Sequence, residues 1–319
     1  MKIDNLLAQK FGSNKVLVYP KIEDVEKYNT YLRLLYTENV KSMSIRELIL
    51  VLFNIKLQYD IFHFHWIGIS DTKSFIATII VLLVALKFRL YQKTVIWTLH
   101  NKYPHKKKFY RLNRYIDKFA AKISSYLHVH GCSAINIMSE ILYQKKDKFF
   151  IYQHPNYNVK KFSKEELEQE REKIGLEKND YVIIIPGIVH EYKRIFETLT
   201  FISKLDCKII ILGKDRCEST NYKDKIKSLI DRNNKIIWID RFVSDYEMDL
   251  YHQISNLAVF NYEDILTSGS VIRSLNCQTI TLAPNQGCLK DIKDINLYLF
   301  DNETEIPTII NKIRSKNAI

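Results

Sequence analysis

Apolar residues recur in two alternating rhythms along this chain. Short runs with strand character are Lys15–Tyr19, Asp60–Trp66, Thr94–Leu99, Leu127–His130 and Phe149–Tyr152. Helical spacing falls between them, over Tyr28–Tyr36, Ser44–Ile55, the region around Phe75–Leu86, Lys106–Ser124 and Ser133–Leu142. Ser44 with Glu47 three residues on reads as a capping box. A charged stretch, 160–178, then interrupts the pattern with a solvated helix over Glu165–Glu172.

The alternation restarts after it. Strands are expected at Tyr181–Pro186, Cys207–Leu212, Lys235–Ile239, Leu257–Phe260 and Thr279–Ala283. Helices are expected at Arg194–Ser203, Tyr222–Asn233, Asp245–Ile254, Ser268–Leu275 and Ile306–Arg314, with Ser244 and Glu247 as a second capping box. Strands alternating with helices predict an α/β class, with parallel sheets covered on both faces. Two such halves predict two doubly wound, Rossmann-like domains, 1–158 and 159–319, with ligands outside the carboxyl ends of the strands.

The longest apolar run, Phe75–Leu86, has twelve residues. A bilayer takes about 20, so a buried helix is expected there. The start, Met1-Lys2-Ile3-Asp4-Asn5, lacks an apolar signal core. The five cysteines are odd in number and form no CxxC, which points to reduced thiols in a cytosolic protein without structural zinc. At 46% hydrophobic residues, with 8 Gly and 6 Pro, disordered and collagen-like designs are excluded.

Charge separates the two halves. Residues 1–155 carry 24 Lys/Arg against 11 Asp/Glu, whereas the remainder carries 24 against 25, so the net +12 of the chain belongs to the first half. A basic half suits nucleic acid, an anionic membrane or a phosphorylated substrate. Lys108, Arg111, Tyr115, Lys118 and Lys122 fall near helical spacing, which makes a basic, aromatic face.

Histidines cluster at strand ends: His63 and His65, then His100, His130 and His154. Each alone reads as a loop residue bonded to backbone; together they predict a polar rim. His100, with Asn101, Pro104 and His105 after it, is the foremost candidate for a site role. No HExxH occurs, and no metal is expected.

Two stretches of the second half suit phosphate. In Pro186-Gly187-Ile188-Val189-His190-Glu191-Tyr192-Lys193-Arg194, a glycine turn precedes two cations at a helix start. Cations there are disfavoured unless an anion is present. In Tyr262-Glu263-Asp264-Ile265-Leu266-Thr267-Ser268-Gly269-Ser270, small residues open a helix whose N–H groups can receive phosphate. Neither GxGxxG nor GxxxxGK[ST] is present, which argues against a dinucleotide enzyme or a P-loop NTPase.

With these residues the chain resembles bacterial GT-B glycosyltransferases, the "group one" type of capsular and exopolysaccharide synthesis. The likeness spans nearly the whole chain. It rests on Asp60–His65, Trp97–His105, Gly187 with Tyr192-Lys193, Ile209–Gly213, Phe242–Asp245, Ser268–Ser270 and Leu282–Pro284.

The resemblance implies a UDP- or GDP-linked sugar donor held mainly by the second half. Gly187, Lys193, Arg194, Tyr262, Glu263, Ser268, Gly269 and Ser270 would contact it, and no further cofactor is implied. His100 and His105 would serve the chemistry with Lys193, and the first half would bind a glycan or polyprenyl-diphosphate-linked acceptor. The reduced cysteines place such an enzyme in the cytoplasm, and the basic face of 108–122 leaves two readings level, a solvated face or a peripheral contact with the inner face of the cell membrane. The neutral second half and the lack of an RNA-binding motif argue against a nucleic-acid partner; a homo- or hetero-oligomer stays open.

The chain departs from the family in two places. No Asp or Glu occurs from Ile265 to Lys290, so Arg273 or Ser274 stands where a second, ribose-holding glutamate is usual. The first strand is followed by Tyr19-Pro20-Lys21 instead of a glycine-rich loop. Retention and inversion both stay open, as does an alternative in which the chain is an inactive subunit stabilising an active partner.

Overall fold

The computed structural model describes residues 1–26, 29–103 and 109–317. Contacts divide the chain into two units, Met1–Pro155 and Asn156–Ile319.

In the first unit the order is α1 (Ile3–Phe11), β1 (Val16–Tyr19), α2 (Ile22–Val25), α3 (Tyr31–Leu35), β2 (Lys41–Ser42), α4 (Ile45–Phe53), β3 (Ile61–Phe64), α5 (Thr72–Leu90), β4 (Thr94–Thr98), α6 (Tyr110–Ile123), β5 (Tyr126–Val129), α7 (Cys132–Leu142) and β6 (Phe149–Ile151). The sheet runs β2-β1-β3-β4-β5-β6, with every pairing parallel. The order reverses at β1, so the switch point lies between β1 and β3.

Helix α1 lies ahead of the first expected element: Ile3, Leu6, Leu7 and Phe11 have helical spacing and pack into the core with Val16, Val18, Ile61 and Ile96. Strand β2, two residues long, is likewise an addition. The capping box of α4 is formed in both directions, Ser44 to Glu47 and back. Helix α5 starts earlier than the apolar run suggests, because Asp71 and Ser74 form a capping box of their own. It is also less buried than expected. Val81, Val84, Ala85 and Phe88 face the core, while Phe75, Ile76, Ile79 and Leu83 are exposed. Among the described residues, no helix is long and apolar enough to cross a membrane.

The second unit runs α8 (Lys164–Lys173), β7 (Val182–Pro186), α9 (Ile195–Ile202), β8 (Lys208–Leu212), α10 (Thr220–Asp231), β9 (Ile236–Ile239), α11 (Asp245–Gln253), β10 (Leu257–Val259), α12 (Gly269–Asn276), β11 (Ile280–Pro284), β12 (Leu297–Phe300) and α13 (Ile306–Asn317). Its parallel sheet has the order β12-β11-β10-β7-β8-β9. Strand β12 extends the sheet beyond Thr279–Ala283, the last strand legible in the sequence. Along β7, Ile183 and Ile185 enter one core layer, and Val182 and Ile184 enter the other. That is the period-two arrangement of a strand buried on both faces. Here the order reverses between β7 and β10.

Candidate functional site

In the first unit, three adjacent parallel strands each carry polar residues two apart, hence on one face. These are His63 and His65 from β3, Thr98 and His100 from β4, and His128 and His130 from β5. Register aligns Thr98 with His128 and brings His63 level with Ile96. His63 and His65 stack with ring centroids 4.7 Å apart. Tyr31 and Tyr36, at either end of α3, close the layer from above. The Tyr31 hydroxyl lies 3.2 Å from His130 Nε2, and the Tyr36 hydroxyl reaches His63 Nδ1 at 2.6 Å and His65 Nε2 at 2.8 Å. His63, His65, His128 and His130 are buried.

Burial disfavours the charged form of these rings. It lowers His63 to about 3 and His154 to about 4, and holds His65, His100, His128 and His130 well below the usual imidazole value; neighbouring histidines add to the effect for all but His154. The cluster is therefore neutral at pH 7. Although so many histidines converge, no group of three or more His, Cys, Asp or Glu among the described residues is arranged to hold a metal ion.

His100 leads from this layer to a pocket. Trp66 stacks on its ring at 4.6 Å, and His65, Trp66, Asn101, Asn113 and Asp117 are among the lining residues. Asn113 braces the wall by accepting from the Ile69 N–H at 2.6 Å and donating to the Ile69 carbonyl at 2.9 Å. Asp117, on α6, is half-buried, and burial pushes its carboxyl up to about 7 against the opposing pull of Arg114. Sequence reasoning missed Asp117, because it sits within a helix whose other charges gave it a basic character. His105, expected beside His100, lies outside the described residues.

The second unit gathers its candidates at its own switch point, where β7 and β10 end. Gly187 follows β7 with φ +92°, a conformation that favours glycine. A Cβ there would collide with Lys193 Nζ and lie 3.8 Å from Ser270 Oγ, so the three converge on one spot. Lys193 is 7% exposed and donates to the Pro186 carbonyl at 3.2 Å. Burial lowers its ammonium to about 8.

Tyr262 comes from the segment after β10. Its ring centroid is 5.9 Å from Lys193 Nζ, it stacks with Tyr192, and its hydroxyl meets Ser268 Oγ at 3.0 Å. Ser268 caps α12 by accepting from the Val271 N–H. The first N–H groups of a helix have no carbonyl partner within it, so the start of α12 offers donors, and its Ser270 hydroxyl converges with the Lys193 ammonium on Gly187. A buried cation facing a helix N-terminus is a natural seat for phosphate.

Not every expected residue joins this group. Arg194 turns to Glu303 at 2.7 Å, and Asn261 donates to the other oxygen of that carboxylate. Glu303 lies 109 residues away in sequence, which hides this pairing from local reading. Glu263 is exposed, its backbone N–H donating to the Tyr192 carbonyl. Arg273 and Ser274, at the place of the absent second acid, are both buried. Arg273 pairs with Asp249 at 2.8 Å and Asp245 at 2.5 Å, and Ser274 bonds Thr281 at 2.7 Å. Neither supplies a carboxylate for a ribose.

No protein-family model matches the chain, and no curated protein matches it in sequence. Solved structures match in fold. Anabaena HepE in complex with UDP-glucose superposes with a TM-score of 0.70 over 95% of this chain and 90% of that one, at 12% identity. A glycosyltransferase from Rickettsia africae gives 0.66 over 96% and 81%, at 16% identity. Sucrose-phosphate synthase from Thermosynechococcus elongatus gives 0.63 over 89% and 76%, at 11% identity. With two parallel six-stranded sheets, each covered by helices, the chain has the architecture of the GT-B glycosyltransferases.

Proposed function

We propose that this protein transfers a sugar from a nucleoside-diphosphate sugar to a hydroxyl of a glycan or lipid-linked acceptor in cell-surface polysaccharide synthesis. The observation that carries this reading is the convergence of Lys193 Nζ, Gly187 and Ser270 at the start of α12. A buried ammonium without a carboxylate partner among its hydrogen bonds is poised for an anion. A diphosphate leaving group places its developing charge there, where a preorganised cation and N–H donors stabilise it most. HepE, of the same fold, was solved with UDP-glucose. In the first unit, His100 and Asp117 share a pocket suited to the acceptor. In the transfer the acceptor hydroxyl attacks the anomeric carbon opposite the bond to the diphosphate as that bond breaks, which gives inversion, and neutral His100 is the group that takes the hydroxyl proton.

Calorimetry against UDP-, GDP- and CDP-sugars tests the donor site. Micromolar to millimolar binding of one nucleotide class, with slow hydrolysis, supports the enzyme. Absence of binding favours a subunit that stabilises an active partner. The surplus of cations in residues 1–155, together with Tyr115 and Phe119 exposed on α6, supports docking to an anionic membrane. Each cation near such a surface is worth about 1 kcal/mol. Flotation that ignores the anionic lipid content of the vesicles refutes that part of the reading.

A further inference from the structure

The buried polar layer of the first unit contains an unbroken series of hydrogen bonds whose proton positions are determined by its far end. The series begins at the Tyr152 carbonyl, which only accepts. His128 Nε2, 2.9 Å away, must therefore carry the proton. A neutral imidazole has one N–H and one lone pair, so His128 Nδ1 accepts, and its donor is the Thr98 hydroxyl at 2.9 Å. That hydroxyl has given its only proton and accepts from His63 Nε2 at 2.7 Å. His63 Nδ1 then accepts from the Tyr36 hydroxyl at 2.6 Å, and the Tyr36 oxygen accepts from His65 Nε2 at 2.8 Å. His65 Nδ1 is left to accept from His100 Nε2 at 3.1 Å. Six bonds run in one direction, and none can reverse alone.

We infer that Tyr36, His63, His65, Thr98 and His128 are positioning residues that fix His100 as the Nε2–H tautomer, reserving its Nδ1 lone pair for a substrate hydroxyl. No described residue hydrogen-bonds Nδ1. The stacked Trp66 ring holds the imidazole plane. The wire does not conduct a proton away: its last acceptor is an amide carbonyl, and any charge passed inward would come to rest on buried His128. It orients and does not relay. This inference rests on the transferase reading for the identity of the substrate, but the tautomer itself is independent of it.

Thr98→Val tests the wire without touching His100. Valine has the shape of threonine and no hydroxyl. Buried N–H groups are rarely left without an acceptor, so His63 should move its proton to Nδ1. Every bond from there to His100 then reverses, and His100 becomes the Nδ1–H tautomer with no lone pair to offer. Long-range 1H–15N spectra of protein labelled at histidine distinguish the two tautomers, with His100→Gln assigning the signal. The expected result is Nε2–H in the wild type and in Thr98→Ser, Nδ1–H in Thr98→Val, and the same loss of Nε2–H in Tyr36→Phe.

In sugar transfer, Thr98→Val should lower kcat about tenfold or more, with the donor KM within about twofold and Thr98→Ser restoring the rate. His100 protonated at Nδ1 in the wild type, or unchanged by Thr98→Val, overturns the inference. If the tautomers behave as stated and the wild type itself transfers no sugar, the wire stands and the transferase reading fails.

Discussion

Lys193→Met offers a test that separates stability from function. Met keeps the length of the side chain and removes its charge. In the folded protein, burial lowers the Lys193 ammonium from 10.5 to about 8. At about 1.4 kcal/mol per pH unit, the buried charge costs ~3 kcal/mol at pH 7 in the absence of an anion. The variant loses the bond to the Pro186 carbonyl, worth about 1 kcal/mol. A net gain of ~2 kcal/mol is expected for the unliganded variant, a rise in Tm of roughly 4–8 °C.

The pH dependence has a definite sign. Between pH 8 and 10.5 the unfolded state holds the Lys193 proton and the folded state does not, so wild-type stability rises with pH across that window. The variant lacks this rise, and its advantage should vanish by about pH 10.5. Binding of UDP should move the opposite way. Losing a charge-assisted contact of ~1.5–3 kcal/mol weakens it by about 10- to 150-fold. Urea titrations at pH 7 and 10.5, with calorimetry against UDP at pH 7, measure all three quantities. A variant that is less stable at both pH values and binds UDP as the wild type does would refute the assignment of Lys193 as a strained anion site.

Two other substitutions probe the remaining charges. Asp117→Asn removes a carboxyl raised from 3.8 to about 7, which the folded protein holds protonated while the unfolded chain releases it. Wild-type stability should fall as pH rises from about 4 through 7, so the variant should gain on the wild type between pH 5 and 8 in urea midpoints; a constant difference would contradict the raised carboxyl. Asp249→Ala leaves the Arg273 guanidinium, 8% exposed, with the more exposed Asp245 as its one ionic partner among the described residues. Breaking a buried pair costs ~3–5 kcal/mol, and a urea-derived loss below about 1 kcal/mol would mean that Arg273 is not stabilised by Asp249.

Particular residues show how far the sequence could be read. The alternation of strands and helices, and the capping boxes at Ser44 and Ser244, are local signals, and the structure forms them where they are written. The i, i+2 spacing of His63 with His65 marks a shared face because pleating is local. Asp117 and Glu303 were beyond such reading. Asp117 is drawn into a pocket by the packing of α6, and Glu303 reaches Arg194 only because α9 and the segment before α13 lie at one end of the same sheet. The absent second glutamate was legible as a gap, but its replacement was not: Arg273 is held by acids 24 and 28 residues earlier.

By itself the sequence determined the doubly wound class, the two switch-point glycine and serine segments, and a basic first half, since each depends on neighbours within a few positions. Tertiary structure decided which polar groups are dry and what they face. It turned separate strand-end histidines into one directed hydrogen-bond series, because register places Thr98 beside His128 while Tyr36 descends from a helix onto His63 and His65. It also set the two raised or lowered groups, Asp117 and Lys193, because desolvation is a property of everything packed around a charge and not of the residues next to it in the chain.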